Sequence, residues 1–233
     1  MKLWIILMTL GVLAYADKLY TLQYKGVDSV HLNAKEYHIE REIHSNCQAV
    51  PILISAIWEG DFAGEEVPSE CKASFVKTAG VISPMKITDG VETYGELEVM
   101  LFIRRMQHKD SDHLLVDSRR SDWHEYETIP GAINIWAKEF TKPDVFPEEY
   151  AQILKLIGIK SSKKGTYDFS NAKTLVVFCN GPWCVLSPKF IKGLLKLGYP
   201  AEKLKWYRGG MHDWKSLSMT TTLSAGAIVK DVK

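Results

Sequence analysis

Residues 174–197 read TLVVFCNGPWCVLSPKFIKGLLKL, and the fold turns on this stretch. Thr174 to Phe178 form an unbroken apolar, β-branched run of strand length. Lacking any polar alternation, it has the pattern of a strand buried on both faces of a parallel sheet. The run leads directly into Cys179. After a short loop the period changes: Phe190, Ile191, Leu194, Leu195 and Leu197 share one helical face over 187–197, and Gly198 follows as a stop. In open α/β sheets, ligands bind where a strand ends, a loop presents its amides and a helix begins. Cys179 occupies that place.

The flanking sequence repeats the alternation. A helix is expected over 92–106, where Leu97, Met100, Leu101 and Met106 recur at helical spacing among charges. Strand, helical turn and strand follow at 113–117, 121–126 and 132–135, with Pro130-Gly131 marking the last turn. Pro147 opens a helix that Gly158 stops, and 161–165 read as a lysine-rich loop. A strand at 204–207 precedes Gly209-Gly210 and a short helix containing Trp214. Strands separated by helices predict an α/β domain with a mainly parallel sheet. The stretch before it, 17–82, has short apolar runs broken by Glu59, Gly60, Asp61, Gly64 and Pro68, and reads as an irregular or small β extension.

The N-terminus is a separate segment. Lys2, the apolar run from Leu3 to Leu13 and the small residues of Ala14-Tyr15-Ala16 form a signal-peptide pattern, with cleavage expected before Asp17. The competing reading is an uncleaved anchor, but the run is shorter than the roughly 20 residues that span a bilayer. The expected organisation is therefore a signal peptide at 1–16, an extension at 17–82, the α/β domain at 83–218 and a tail at 219–233. The expected location is exported: periplasmic in a Gram-negative bacterium, secreted otherwise, with no stable membrane insertion after cleavage.

In the 233-residue chain, 29 Lys and Arg stand against 28 Asp and Glu. Loss of Lys2 with the leader makes the mature chain neutral. This balance gives no reason to expect nucleic acid as a partner. A hydrophobic content of 46% is enough to build a core. The four cysteines fall into two pairs. Cys47 and Cys71 flank an apolar stretch, and in an oxidising compartment a bridge between them would close a loop worth roughly 3 kcal/mol. A structural disulfide is the preferred reading, a second thiol site the alternative. His31, His38 and His44 lack a cysteine pair at ligand spacing, so no metal or other cofactor is expected.

Cys179 and Cys184 carry the chemistry. Asn180, Gly181, Pro182, Trp183, Cys184, Val185 and Leu186 give the loop enough length to curl into a cradle of backbone N–H groups. Such a cradle beside a helix N-terminus favours a thiolate. Cys179 is then either a nucleophile or a buried structural thiol at a strand end. Trp183 either closes a pocket or stiffens the loop with Pro182. Trp123, Trp136, Trp206 and Trp214 read as core or pocket-wall residues.

Two longer stretches carry a resemblance. LLVDSRRSDWHEYETIPGAINI at 114–135, and TLVVFCNGPWCVLSPKFIKGLLKLGYPAEKLKWYRGGMHDW at 174–214, resemble the two ordered signatures of rhodanese domains, and the likeness runs over about 84–217. It implies an open parallel five-stranded sheet flanked by helices. It further implies that Cys179 accepts a sulfane sulfur from thiosulfate, polysulfide or a persulfide, holds it as a persulfide and passes it to a thiophilic acceptor. The amides from Asn180 to Val185 would then hold the terminal sulfur, while Asp117 and Arg119 match the family's structural acid and base near the site. That pair either fixes the strand end or takes part in catalysis, and Arg208 either is solvated or faces substrate.

Three departures bear on mechanism. Glu127-Thr128 stands where the family usually has Gly-His. The loop from Asn180 to Val185 carries no Arg or Lys to hold a sulfonate, which disfavours thiosulfate relative to a persulfide or polysulfide. Cys184 stands where many relatives have Arg, Ser or Thr. It either attacks a Cys179 persulfide, releasing sulfide and leaving a disulfide, or is a passive loop residue. A related phosphatase would need arginine at the position of Val185, so phosphoryl chemistry is disfavoured. The class-different alternative is a non-catalytic rhodanese module that binds a partner or senses redox state. The expected partner of the enzyme is a small sulfur compound or thiol.

Overall fold

The computed structural model describes residues 26–40, 83–108, 112–161 and 166–223. The leader, Cys47, Cys71, His44 and residues 224–233 lie outside the described residues.

Five strands form one parallel sheet in the order β3-β9-β8-β4-β5, namely β3 (Glu92–Tyr94), β4 (His113–Asp117), β5 (Ile133–Asn134), β8 (Thr174–Phe178) and β9 (Leu204–Tyr207). The central strand is β8, the apolar run that decided the fold. It pairs along its length with β4, from Leu114↔Leu175 to Asp117↔Phe178, and with β9, from Leu175↔Leu204 to Phe178↔Tyr207. All three strands therefore end at the same edge, which gathers Asp117, Cys179 and Arg208 on one side of the molecule.

Because side chains alternate along a strand, β8 feeds two cores. Leu175 and Val177 join Trp206 and the helices α3 (Ala137–Thr141), α4 (Pro147–Leu156) and α5 (Leu186–Leu197) on one face. Val176 and Phe178 join α1 (Glu96–Met106), Tyr207 and Trp214 of α6 (Gly210–Ser216) on the other. The second core also buries Val27 and Ile39 of a hairpin built from β1 (Val27–His31) and β2 (Lys35–Ile39). This hairpin is the β structure expected in the extension. It belongs to the packed body, as do Met219, Thr220 and Thr221, so the body reaches beyond both ends of 83–218.

Three details differ from the sequence reading. The helix expected over 92–106 begins only at Glu96. Residues 92–94 form the sheet edge, paired in parallel with β9, and Lys205 Nζ bonds Glu92 Oε2 at 2.7 Å. Gly95 separates the two elements, and its N–H donates to the Glu98 carboxylate at 3.0 Å. Local periodicity could not register this boundary, because the partner strand lies far along the chain. The helix α3 was not anticipated; its Phe140 packs edge-on against Phe190 of α5, with ring centroids 5.0 Å apart. The lysine-rich stretch at 161–165 begins at the end of β6 (Lys160–Ser161), which pairs antiparallel with β7 (Tyr167–Asp168). Among the described residues, no helix is long and apolar enough to cross a membrane.

Candidate functional site

Cys179 is the first residue after β8 and is 1% exposed. It is joined to Cys184 by a disulfide, with the two Cα atoms 6.2 Å apart. Cys184 is half-buried and Val185, the next residue, is 43% exposed. The exposed side of the bridge is therefore the Cys184 side.

Two elements pin the loop between the cysteines. At its start, the first turn of α6 donates Met211 N–H to the Cys179 carbonyl at 3.0 Å and His212 N–H to the Asn180 carbonyl at 2.8 Å. Within it, Cys184 N–H donates to the Gly181 carbonyl at 2.9 Å, closing a tight turn. That amide is thus engaged inside the loop in this state, and Pro182 has none to offer. The Pro182 carbonyl accepts Ser83 N–H at 2.8 Å, and the Ser83 carbonyl in turn accepts Arg208 Nη2 at 2.9 Å and Nε at 3.1 Å. Arg208, treated from sequence as solvated or substrate-facing, so ties the segment before β3 to the loop.

Trp183 packs on the loop. A Cβ added to Gly181 would come 2.8 Å from the Trp183 ring, and the ring stands edge-on to His212 at 4.8 Å between centroids. Of the two roles open to Trp183, this packing matches loop stiffening. Gly210 meets the loop even more closely. Its φ is +57°, and a Cβ there would collide with the Cys179 carbonyl oxygen and lie 2.9 Å from Gly181 N.

The Asp117 and Arg119 pair lies at the neighbouring strand end. Arg119 Nη2 donates to Asp117 Oδ2 at 2.7 Å and Nε to Oδ1 at 2.9 Å, and both side chains are buried. Nη2 also donates to the Glu127 carbonyl at 2.5 Å. Thr128, standing where the resemblance leads one to expect histidine, donates Oγ1 to Asp117 Oδ2 at 2.8 Å, and Nδ1 of His124, on α2 (Ser121–Tyr126), lies 3.3 Å from the same oxygen. Burial pushes the Asp117 carboxyl up, but the hydrogen bonds from His124 and Arg119, with the Arg119 charge, hold it below the usual carboxylate range. This network fixes the end of β4 and commits Nε and Nη2 of Arg119 to it. Asn134 adds to it, donating Nδ2 to the Asp117 and Arg119 carbonyls at 3.0 and 2.9 Å.

The structure thus brings Cys179, Asn180, Gly181, Pro182, Trp183, Cys184 and Val185 together, with Arg208 behind them and Asp117 with Arg119 at the adjoining strand end. Sequence reasoning missed Ser83, His212 and the close approach of Gly210. Gly209-Gly210 was visible as a motif, whereas Ser83 acts only through its backbone and carries no side-chain signal. Among the described residues, no three His, Cys, Asp or Glu side chains come together as a metal site.

Residues 102–217 match the family model described as "Rhodanese-like domain". No curated protein matches the chain. Among solved structures, the chain is similar to a Bacillus halodurans protein at 21% identity and a TM-score of 0.38, covering 57% of this chain and 79% of that one. It is also similar to a single-domain sulfurtransferase of Saccharomyces cerevisiae at 19% identity and a TM-score of 0.38, covering 55% and 92%. A rhodanese-like domain from Anabaena matches at 14% identity and a TM-score of 0.38, covering 63% and 89%. The signatures around Cys179 and Asp117, the five-stranded parallel sheet that aligns them and the family match over 102–217 agree, and the chain belongs to the rhodanese-like domain family.

Proposed function

We propose that the domain is a sulfurtransferase that carries sulfane sulfur as a persulfide on Cys179. The observation that supports this most directly is the position of Cys179, at the carboxyl end of the central strand, in a loop tied to the first turn of α6 and followed by α5. The N-terminus of α5 favours an anion beside it, and a thiolate is the nucleophile needed. The disulfide form holds no thiolate, so reduction precedes the reaction. The Cys179 thiolate then attacks the sulfane sulfur of thiosulfate, a polysulfide or a persulfide. The donor leaves with the electron pair of the broken bond, and a thiophilic acceptor later takes the sulfur.

Residues 1–16 then act as a cleaved export signal, which puts the domain in the oxidising setting where a disulfide persists. Its partner is a small sulfur compound or a thiol. The test is mass spectrometry of the reduced protein after exposure to thiosulfate or polysulfide. Cys179 should gain one sulfur atom and Cys179→Ser should gain none at that position. No gain from either donor would sink the enzyme reading.

The Cys179–Cys184 bridge favours one other reading, a non-catalytic module that reports redox state through this loop. A reduced protein that gains no sulfur, yet binds a partner differently from the oxidised one, would support it.

A further inference from the structure

Cys184 is not needed for simple transfer to an external acceptor, yet it is the residue bonded to Cys179. Resting on the reading of Cys179 as the sulfur carrier, we propose that the domain is a persulfide reductase: Cys184 displaces sulfide from the Cys179 persulfide, and an external dithiol then reopens the disulfide by attacking Cys184.

The bridge itself shows that Cys184 Sγ reaches Cys179 Sγ within a loop that keeps its turn and its ties to α6 and Ser83. Attack at that inner sulfur forms the disulfide and expels the outer sulfur as hydrosulfide. The donor class follows from charge. Arg119 is committed to Asp117 and the Glu127 carbonyl, and Arg208 to the Ser83 carbonyl. The loop from Asn180 to Val185 contributes no cation. The loop itself therefore offers a sulfonate no guanidinium clamp, whereas a hydropersulfide or polysulfide needs none.

Burial decides where the reductant enters. Cys179 is 1% exposed, while Cys184 is half-buried beside an exposed Val185. An incoming thiolate meets the Cys184 sulfur and expels Cys179 as the thiolate. The second thiol of the reductant then attacks its own sulfur in the mixed disulfide and frees Cys184. The balance closes: a hydropersulfide RSSH and a dithiol give RSH, hydrogen sulfide and the oxidised dithiol. Two electrons pass from the dithiol to the sulfane sulfur.

Two measurements on the full chain test this. In the first, the oxidised protein is treated with glutathione, quenched with iodoacetamide and peptide-mapped. Glutathione should appear on Cys184 with the alkyl group on Cys179, and glutathione on Cys179 would overturn the entry route. In the second, the reduced protein is loaded with polysulfide and sulfide release is timed. Wild type should release sulfide and end as the disulfide, whereas Cys184→Ser should keep the extra sulfur on Cys179 with release at least about tenfold slower. If wild type holds its persulfide as long as the variant does, the reductase proposal falls and the carrier reading stands. If neither protein gains sulfur, both fall.

Discussion

At Gly210 a single hydrogen side chain lets α6 start against the carbonyl of Cys179. The positive φ is one constraint and the close approach to Cys179 and Gly181 is the other. Gly210→Ala adds a left-handed penalty to a steric collision, and together they should cost about 2 kcal/mol or more. Thermal unfolding would register the loss, and the rate of sulfur loading on Cys179 should fall with it, because the loop must move to admit the methyl group. Unchanged stability and loading would mean that the loop is not held by this contact. The chemistry of Asp117 and Arg119 was open from sequence, since a charged pair at a strand end suits catalysis or structure equally. Their hydrogen bonds to each other, to Thr128 and to the Glu127 carbonyl resolve the geometry, because partners eight and eleven residues away cannot be assigned from residue type.

Among the elements, the hairpin of β1 and β2 is the one whose attachment should respond to pH. Ser29 Oγ donates to the Pro130 carbonyl at 3.1 Å, and His31 Nδ1 accepts Gly131 N–H at 3.1 Å. The His31 ring lies 6.0 Å from that of His124, which faces Asp117 on its other side, while Lys35 and Tyr37 flank His31 from β2. Burial, then the neighbouring His124 and Lys35, lower the pKa of His31. The undocked hairpin therefore binds a proton more readily than the docked one. Its docking should be strongest above the usual histidine pKa of about 6.5 and weaken as pH falls below it. Hydrogen exchange of the β1 and β2 amides, corrected for intrinsic rates, should show increased opening on acidification. His31→Gln should flatten that dependence; an equal response in the variant would assign it elsewhere. The elements were unevenly legible. The bounds of β8 follow directly from TLVVF, a signal contained within five residues. Edge strand β3 was hidden at the front of a helical pattern, because what makes 92–94 a strand is β9.

Across the whole molecule, the hairpin, the sheet and residues 219–223 close on one another. Thr220 N–H donates to the Glu40 carbonyl at 2.8 Å, Glu40 N–H donates to Thr220 Oγ1 at 2.9 Å, and Thr222 N–H donates to the Thr128 carbonyl at 2.9 Å. The buried Trp214 indole donates to the Thr220 carbonyl at 2.7 Å. Ending the chain after Ser218 would orphan that indole, at about 1–3 kcal/mol for an unmet buried donor, and release the hairpin. Calorimetry should show a melting temperature lower by roughly 5 °C. An unchanged value would mean that these contacts add nothing to the fold. The sequence alone determined the α/β class, the strand that centres the sheet, the cysteine at its end and the family signatures, because each is written in short-range pattern or in residue type. Only the tertiary structure decided that Cys184 bridges Cys179, that Arg119 and Arg208 are committed to structural partners and that the N-terminal hairpin seals one face. Those outcomes depend on which distant segments meet, and that is set by how the two faces of the sheet are covered rather than by any local stretch of chain.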